Sequence, residues 1–578
     1  MDYQQMFLDA VAGNDFESAE LLLKSGHLIS INASREGCTA LLSAISQGNN
    51  RMCKLLLDHG ACVDTEGQVQ SEEIQNEEFR TFPLSWSLLT CQQDIATLLI
   101  QRGATLDVTD SIGKTPLVIA TEKGYCGICK LLIEKHVNVN RVSRIDRSTA
   151  LMTACRLGKT NIVQELVNGG ALVDVVDDSD RSALHYAAMS GNLEIMKMLL
   201  MCKQRYTSSF SISSLYTPVH AACESGHLEM LGSLVSYGYR VDEGDEDGCT
   251  PLYYAAKNDH LHIVKYLLSG EIRKIYAAKY NRLHLPMVLT GEMSKIDGSD
   301  PTGETALCHA IENGSEEMVQ LLLSAGCSVS CPSVPYRPPI LRVKALHSQK
   351  IVRLLIEHGA DVNVEDLVGW SPLLLAGSLF SDISVLECLL AAGADIEHCN
   401  AEGLNLLLVM LRNIRCSDNW PKQRQFLEYA LNSGCPVSST NRYGIPALHM
   451  CLITECLDFL LEHGADINQT VHRGCGNALA NAADRGNIHI MKHLIRRGIN
   501  IDTKNNKGFS PLYYAVYHDN AAAVKLLVKT GADITTNITI GDVSMNLLEC
   551  ALAFSRSSEI CKLLYESGAC FRPQTNPC

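Results

Sequence analysis

Apolar residues recur along the chain in short paired blocks separated by turn-forming residues. The clearest example spans residues 508–534. Its Ser510-Pro511 pair is suited to begin a helix, and we expect a short first helix over 513–517. The apolar spacing of Val524, Leu527 and Val528 predicts a second helix over 521–529, antiparallel to the first. Two helices this short cannot bury their apolar faces alone, so the segment needs neighbours.

The residue that opens the first helix returns at a regular interval. From Thr115 to Thr250 the successive steps are 34, 33, 35 and 33 residues, and Ser510 follows Asn477 by 33. The clear copies stand at Thr39, Thr115, Thr149, Ser182, Thr217, Thr250, Thr305, Ser371, Asn477 and Ser510. With weaker copies in the larger gaps and degenerate copies at both ends, the chain holds sixteen repeats between about residue 2 and about residue 570.

The repeats share a motif at their start and another at their end. The starts read TPLVIA at 115–120, SALHYAA at 182–188, TPVHAA at 217–222, TPLYYAA at 250–256, PALH at 446–449 and SPLYYA at 510–515. The ends read HGADVN at 358–363, AGADI at 392–396, HGADIN at 463–468 and TGADI at 530–534. In period and motif the chain resembles the ankyrin-repeat family. This resemblance implies an all-α ankyrin-repeat solenoid of paired antiparallel helices, joined by β-turn or hairpin fingers.

The spacing also predicts how the array is divided. Thr250 and Thr305 are 55 residues apart, about 22 more than one period. We therefore expect an N-terminal array of eight repeats over 1–275, an irregular insert over 276–300 that could serve as a hinge, and a C-terminal array of eight repeats over 301–570. The remaining tail, 571–578, is too short for an appended domain such as the SOCS box of some ankyrin families.

Composition narrows the classes of partner. The formal net charge is −15 and the isoelectric point about 5.7, which argues against nucleic acid and against an anionic membrane surface. No apolar run approaches the 18 or so residues of a membrane span, and the N-terminus has no basic region of a signal peptide. The 24 cysteines are expected to be reduced core thiols. We expect a cytosolic or nuclear protein that is a monomer by itself.

Three short motifs resemble ligand-binding sites, but each is better explained by its position in the repeat. The Gly-Lys-Thr tripeptides at 113–115 and 158–160 lack the earlier glycine of a phosphate-binding loop, since those positions are Val108 and Thr153. Cys126 and Cys129 form a lone C-x-x-C without a second ligand pair. We therefore expect no cofactor and no metal.

The histidines of the repeat motif are also expected to have a structural role. His185, His220 and His449 share one slot, which Tyr253 and Val118 occupy in other repeats. The resemblance implies that these imidazoles bridge backbone groups of neighbouring turns. Because a catalytic role would not survive these exchanges, we expect no catalytic residue and no enzyme activity.

The resemblance places the partner-binding surface on the concave face, which is formed by first helices and fingers. The slot just before each helix cap lies on a finger, and it holds Tyr216, Trp370 and Phe509, with Arg181 in the same slot of another repeat. Each aromatic is either a binding hot spot or packs on the next repeat. The exposed ends of first helices form a second candidate set: Glu122, Lys123, Arg156, Lys257, Asn258, Tyr517 and His518.

Two acidic fingers, at 174–180 and 242–247, predict a negative strip. Its candidate residues are Asp177, Asp178, Asp180, Asp245, Glu246 and Asp247, with Asp242 and Glu243 beside them. Such a strip would attract a partner with a basic surface; the alternative is that these loops only keep the array soluble.

The function that the sequence predicts is non-catalytic protein binding by a scaffold or adaptor. Two alternatives are a substrate-recruiting adaptor of a ubiquitin ligase and a regulatory or targeting subunit of a kinase or phosphatase. The resemblance also implies a modification, because Asn140, Asn363 and Asn468 match the positions that an asparaginyl hydroxylase modifies in ankyrin repeats.

Overall fold

A computed structural model describes the whole chain except residues 1–2, 26–27, 70–78, 206–215, 270–271, 273–295, 331–336, 343–344, 472–475, 541–542, 555–556 and 570–578. The chain forms two compact units, Met1–Ala306 and Leu307–Cys578. Most of the predicted hinge at 276–300, and all of the tail at 571–578, lie outside the described residues. The predicted division into two arrays therefore stays a prediction.

The described part of the first unit consists of paired helices and short hairpins. The helices are α1 Tyr3–Ala12, α2 Phe16–Lys24, α3 Ala40–Ser46, α4 Asn50–Asp58, α5 Pro83–Leu89, α6 Gln93–Gln101, α7 Pro116–Lys123, α8 Cys126–Glu134, α9 Ala150–Arg156, α10 Thr160–Asn168, α11 Ala183–Ser190, α12 Leu193–Arg205, α13 Pro218–Glu224, α14 Leu228–Tyr237, α15 Pro251–Lys257 and α16 Leu261–Leu268. The antiparallel strand pairs are β1 Ser34–Arg35 with β2 Cys38–Thr39, and β3 Gly67–Gln68 with β4 Arg80–Thr81.

The second unit repeats this plan, and its first helix, α17 (Ala306–Glu312), contains the boundary between the units. The helices that follow are α18 Glu316–Ser324, α19 Gln349–Glu357, α20 Pro372–Leu379, α21 Ile383–Ala391, α22 Leu406–Asn413, α23 Trp420–Asn432, α24 Ala447–Met450, α25 Thr454–Glu462, α26 Ala478–Asp484, α27 Ile488–Arg496, α28 Pro511–Tyr517, α29 Ala521–Lys529, α30 Leu547–Ala553 and α31 Ser558–Glu566. Two 3₁₀ turns, Pro339–Leu341 and Ala345–His347, stand in place of one first helix. Strands β5 Asn537–Ile540 and β6 Val543–Asn546 form an antiparallel hairpin.

Helix caps and apolar faces produce this repetition. The hydroxyl of Thr250 accepts a hydrogen bond from the N–H of Tyr253 at 3.3 Å, and Pro251 occupies the first turn of α15. In the second helix of the preceding repeat, α14, the buried residues Met230, Leu231, Leu234 and Val235 follow helical spacing. First helices of consecutive repeats pack on one another, as α9, α11, α13 and α15 do. The all-α ankyrin-repeat fold is confirmed, with sixteen helix-pair units among the described residues.

The fingers between repeats are closed by a recurring Asp or Asn. Asp245 Oδ1 accepts from the N–H groups of Asp247 at 3.1 Å and Cys249 at 2.9 Å. Gly248 has a φ of +85°, which the tight turn requires and glycine adopts without strain. Asn505 closes its finger in the same way on Phe509, at 3.0 Å. This turn holds the residue before each helix cap in a fixed position.

Across the described residues, no helix combines the length and apolar character that crossing a membrane requires.

Candidate protein-binding surface

Tyr216 lies at the centre of an aromatic group rather than alone on a finger. Its half-buried ring stacks between His185 and His220, with ring centroids 5.9 and 5.4 Å away. Its hydroxyl donates to Glu224 Oε2 at 2.5 Å, and the Arg181 guanidinium lies 5.6 Å from the ring centre. Burial, reinforced by the Glu224 carboxylate, raises the pKa of Tyr216. Much of the surface of this predicted anchor is therefore used in packing within its own unit.

The two histidines beside Tyr216 perform the structural role predicted for them. His185 Nδ1 accepts from the N–H of Ser182 at 2.9 Å, and its Nε2 donates to the carbonyl of Tyr216 at 2.9 Å. His220 has equivalent bonds to Thr217 and Glu243, each 3.0 Å long. Burial lowers the pKa of both imidazoles to about 4, so they are neutral and hold consecutive repeats together.

The prediction was wrong for His449. Neither of its ring nitrogens has a hydrogen-bond partner among the described residues. Nδ1 lacks a donor because Pro446, at the cap, provides neither an N–H nor a hydroxyl.

The acidic strip is smaller than the sequence predicted. Asp177 and Asp245 are buried, and each accepts a hydrogen bond from a tyrosine hydroxyl: Tyr186 at 2.5 Å and Tyr254 at 2.7 Å. Asp242 is also buried and pairs with Arg240 at 2.9 Å. These carboxylates hold their fingers in shape. The carboxylates left exposed on the strip are those of Asp178, Asp180, Glu246 and Asp247, with Glu243 half-exposed.

Trp370 lies in a different setting from Tyr216. Its side chain is half-exposed. Its backbone N–H donates to Asp366 Oδ1 at 3.0 Å. The tip of the same finger carries Leu367, which is 76% exposed, and Val368, which is 49% exposed. We call Leu367, Val368 and Trp370 the apolar finger. Sequence reasoning missed its first two residues, although apolar side chains at the tip of a turn were a visible signal.

The apolar finger is held from both sides. Arg337 pairs with Asp366 at 3.1 Å. On the next finger, the N–H of Ala401 donates to the carbonyl of Val368 at 3.0 Å. The apolar side chains are thus presented on a fixed backbone, which lowers the ordering cost of binding.

Phe509 belongs to a stack of aromatic rings. Its ring lies 4.1 Å from Tyr513, and Tyr513 in turn lies 5.8 Å from Tyr517. Tyr517 meets Phe554 of the next repeat edge-on at 5.3 Å. The exposed His518 Nε2 lies 2.8 Å from Asp484 Oδ1. The structure thus brings Phe509, Tyr517 and His518 into one neighbourhood of the second unit.

The remaining candidates at the ends of first helices differ in whether their side chains already make contacts within the unit. Glu122 is paired with Lys114 at 2.8 Å. Lys257 is exposed, with its ammonium 5.6 Å from the Tyr253 ring centre, and Asn258 donates to the Tyr254 carbonyl at 3.0 Å. The side chains of Lys123 and Arg156 are exposed at the ends of α7 and α9.

The described cysteines fit the prediction of core thiols only in part, because Cys62, Cys91, Cys399 and Cys416 are exposed. Cys129 is buried, and burial raises the pKa of its thiol to about 11. Among the described residues, no group of three or more His, Cys, Asp and Glu side chains could hold a metal ion. Asn140 Oδ1 accepts from the N–H of Leu172 at 2.7 Å, and Asn363 and Asn468 make the same bond to the next repeat, at 2.8 and 2.9 Å. Their hydroxylation stays a prediction.

Stacked helix pairs with projecting fingers define a repeat solenoid, a class of protein that presents binding surfaces. The chain belongs to the ankyrin-repeat family. A model of three ankyrin repeats matches residues 6–110, 67–143, 137–210, 209–276, 455–538 and 479–575, and a single ankyrin repeat matches 302–333. These repeats support a role in protein–protein interaction.

Several known proteins are similar to the chain. It is 23% identical to the human transient receptor potential cation channel subfamily A member 1 over 79% of this chain and 37% of that protein. It is 31% identical to human neurogenic locus notch homolog protein 2 over 28% of this chain and 7% of that protein. It is 25% identical to the Arabidopsis thaliana E3 ubiquitin-protein ligase KEG over 56% and 19%. The chain thus spans well under half the length of these relatives.

Proposed function

We propose that this protein is a non-catalytic scaffold or adaptor whose second unit binds a protein partner through the apolar finger. The observation that carries the proposal is the exposure of Leu367 and Val368 beside Trp370 on one rigid turn. Burying large apolar side chains is the main favourable contribution to most protein association, and tryptophan is enriched at binding hot spots.

The apolar finger differs from two other fingers that are closed by Asp or Asn. The two tip positions hold Asp178 and Ser179 in one finger of the first unit, and Asn506 and Lys507 in another of the second. Polar tips are what a solvated turn requires. Leucine and valine at these positions leave apolar surface in water, and a partner would remove it.

Affinity purification from native cells tests the proposal. The test variant is Leu367→Ser with Val368→Ser and Trp370→Ala, and the matched control is Asn506→Ser with Lys507→Ser on the equivalent tip. We expect the test variant to lose a partner that both the wild type and the control retain, while circular dichroism and thermal melting show all three folded. Retention of every partner by the folded test variant would refute the assignment.

A substrate-recruiting adaptor of a ubiquitin ligase is the second candidate, and the similarity to a protein named as an E3 ubiquitin-protein ligase favours it. Ligase subunits among the partners that depend on the apolar finger would support it; a kinase or phosphatase there would favour a regulatory subunit instead. We also propose that the protein acts in the cytosol or nucleus, and that Asp178, Asp180, Glu246 and Asp247 guide a basic partner surface to the first unit.

A further inference from the structure

We propose that the first unit carries a separate site for a short acidic protein segment that contains one apolar side chain. The site consists of Ile145 and the exposed basic residues of three neighbouring repeats, which we call the basic patch: Arg80, Lys123, Arg144, Arg147 and Arg156. It goes beyond the proposed function, because it lies in the other unit and does not depend on the apolar finger.

Backbone hydrogen bonds place the finger residues of the patch side by side. The N–H of Ser111 donates to the carbonyl of Arg80 at 3.0 Å, and the N–H of Arg144 donates to the carbonyl of Gly113 at 3.3 Å. Three consecutive fingers are joined in this way. The other two basic residues come from the first helices of the same repeats: Lys123 ends α7 and Arg156 ends α9. Since α7 and α9 also pack together, the five cations belong to three consecutive, adjoining repeats.

The five cations are exposed, and within the described chain none of them makes an ion pair. Other cations of the same unit are paired: Arg102 lies 2.5 Å from Asp58, and Arg240 lies 2.9 Å from Asp242. A cluster of unpaired guanidinium groups is unexpected in a chain with a net charge of −15. Arginine binds carboxylates through paired, charge-assisted hydrogen bonds, so the patch is suited to Asp and Glu side chains.

Three of the described carboxylates near the patch make contacts of their own or are buried. Glu122 is paired with Lys114 at 2.8 Å. Asp146 accepts from the N–H of Ser148 at 3.0 Å and from its hydroxyl at 2.8 Å. Asp110 is buried. Among the described residues the five cations outnumber the exposed carboxylates beside them, Asp146, Asp178 and Asp180. A ligand that brings carboxylates would neutralise the remaining positive charge.

Two features make the ligand a short peptide rather than a long polyanion. Ile145 is 63% exposed between Arg144 and Arg147, and it offers an apolar contact that a phosphate backbone would not use. The next finger begins with Asp178, whose N–H donates to the carbonyl of Asp146 at 3.1 Å. Its exposed carboxylates, Asp178 and Asp180, would repel a polyanion that continued along the fingers.

Fluorescence anisotropy with the purified full chain tests the site. The probe is a labelled twelve-residue peptide with four glutamates around one leucine. The test variant is Arg144→Glu with Arg147→Glu; the control, Lys130→Glu with Lys135→Glu, makes the same charge change at exposed positions of α8 and its end. We expect the test variant to weaken binding at least about tenfold and the control less than about twofold.

The apolar contact has its own test in a double-mutant cycle. Ile145→Ser should weaken binding of the leucine peptide by about tenfold but leave binding of a serine-substituted peptide unchanged. The site is refuted if the wild type does not bind the peptide at low salt, or if the control loses as much as the test variant. It is also refuted if oligothymidylate or anionic vesicles bind through Arg144 and Arg147 while the peptide does not. Failure of the apolar finger experiment would leave this inference untouched.

Discussion

His220 and His449 occupy the same slot of their repeats and both are buried, but within the described chain His449 lacks the two hydrogen bonds that His220 makes. His220 accepts from the N–H of Thr217 and donates to the carbonyl of Glu243, both at 3.0 Å. In the other repeat the capping position is Pro446, and both nitrogens of His449 lack a partner within the described chain. The comparison shows that the cap residue, three positions earlier, decides whether Nδ1 of the buried imidazole receives a hydrogen bond.

The same contrast occurs in two fingers. Asp245 Oδ2 accepts from the hydroxyl of Tyr254, nine residues later, at 2.7 Å. Nine residues after Asp110 the chain has Ile119, and Asp110 Oδ2 is buried without a partner among the described residues. Burial accordingly raises the pKa of Asp110. In each comparison, one repeat satisfies a buried polar group and the other does not. An unsatisfied buried polar group lowers stability by about 1–3 kcal/mol.

The largest expected effect is a loss of stability in mild acid. Burial lowers the pKa of His185, His220 and His449 to about 4 in the folded protein, against about 6.5 in the unfolded chain. Above pH 6.5 neither state binds these protons. Between pH 6.5 and 4 the unfolded state takes them up first, so folding loses about 3 kcal/mol for each histidine.

Denaturant unfolding at pH 7 and pH 5 measures about 2 kcal/mol of this loss for each histidine, because pH 5 still lies above the folded pKa. Comparison with His220→Leu and His449→Leu separates the histidines from other titrating groups. Each variant should lose a similar part of the pH dependence, because burial is the main cause in both. A full pH dependence in His449→Leu would show that this imidazole is not held neutral by burial.

At pH 7 the same two variants should behave differently. His220→Leu removes the hydrogen bond to Thr217 in its own cap and the hydrogen bond to Glu243 on the following finger, and should destabilise by about 2 kcal/mol. His449→Leu removes two unsatisfied nitrogens, so we expect no loss or a gain of up to about 1 kcal/mol. Hydrogen exchange of the amides in α13 and α24 reports on each repeat separately. Equal losses in both repeats would contradict the comparison.

The comparison of the Asp245 and Asp110 fingers predicts that loss of the tyrosine hydroxyl lowers the free energy of unfolding by about 1.5 kcal/mol. Tyr254→Phe leaves Asp245 Oδ2 buried without a donor, which is the condition of Asp110 in the wild type. Ile119→Val, which deletes one methylene and no polar contact, serves as the control near Asp110. Exchange rates of amides in the finger 245–249 should rise in Tyr254→Phe. Unchanged rates would mean that water replaces the hydroxyl.

The sequence was sufficient for the fold because each repeat depends on local signals. The cap, the apolar spacing and the final glycine predicted a second helix over 521–529, and α29 has these bounds. Nearest-neighbour packing then repeats one solution along the chain. Local signals also located the slot of Tyr216, Trp370 and Phe509 on the fingers.

Whether the side chain in that slot is packed or exposed could not be predicted from the sequence of its own repeat. Tyr216 is enclosed because His185, 31 residues earlier, lies on the adjacent repeat. Trp370 sits beside two exposed apolar residues instead. Likewise Asp177 is buried while its neighbour Asp178 is exposed, a difference set by the Tyr186 hydroxyl and the direction of the turn. A partner on the adjacent repeat decides the outcome for Tyr216, and a tyrosine nine residues later in the same repeat decides it for Asp177. The repeat motif itself encodes neither contact.

The smallest effect should come from restoring the missing cap. Pro446 has φ −72° and ψ 160°, an extended conformation close to that of Thr217 at −104° and 165°. Threonine could therefore replace Pro446 without moving the backbone, and its N–H and hydroxyl would both face His449 Nδ1.

We expect Pro446→Thr to stabilise the repeat by about 1 kcal/mol, since one new hydrogen bond contributes about that much and the loss of proline rigidity offsets part of it. Slower hydrogen exchange in α24 would report the gain. Pro446→Ala separates the contribution of the backbone N–H from that of the threonine hydroxyl, because alanine restores the N–H alone. The gain should also disappear in the His449→Leu background. A gain that survives there would mean that the threonine acts only as a helix cap, and the proposed dependence of the histidine on its cap would be wrong.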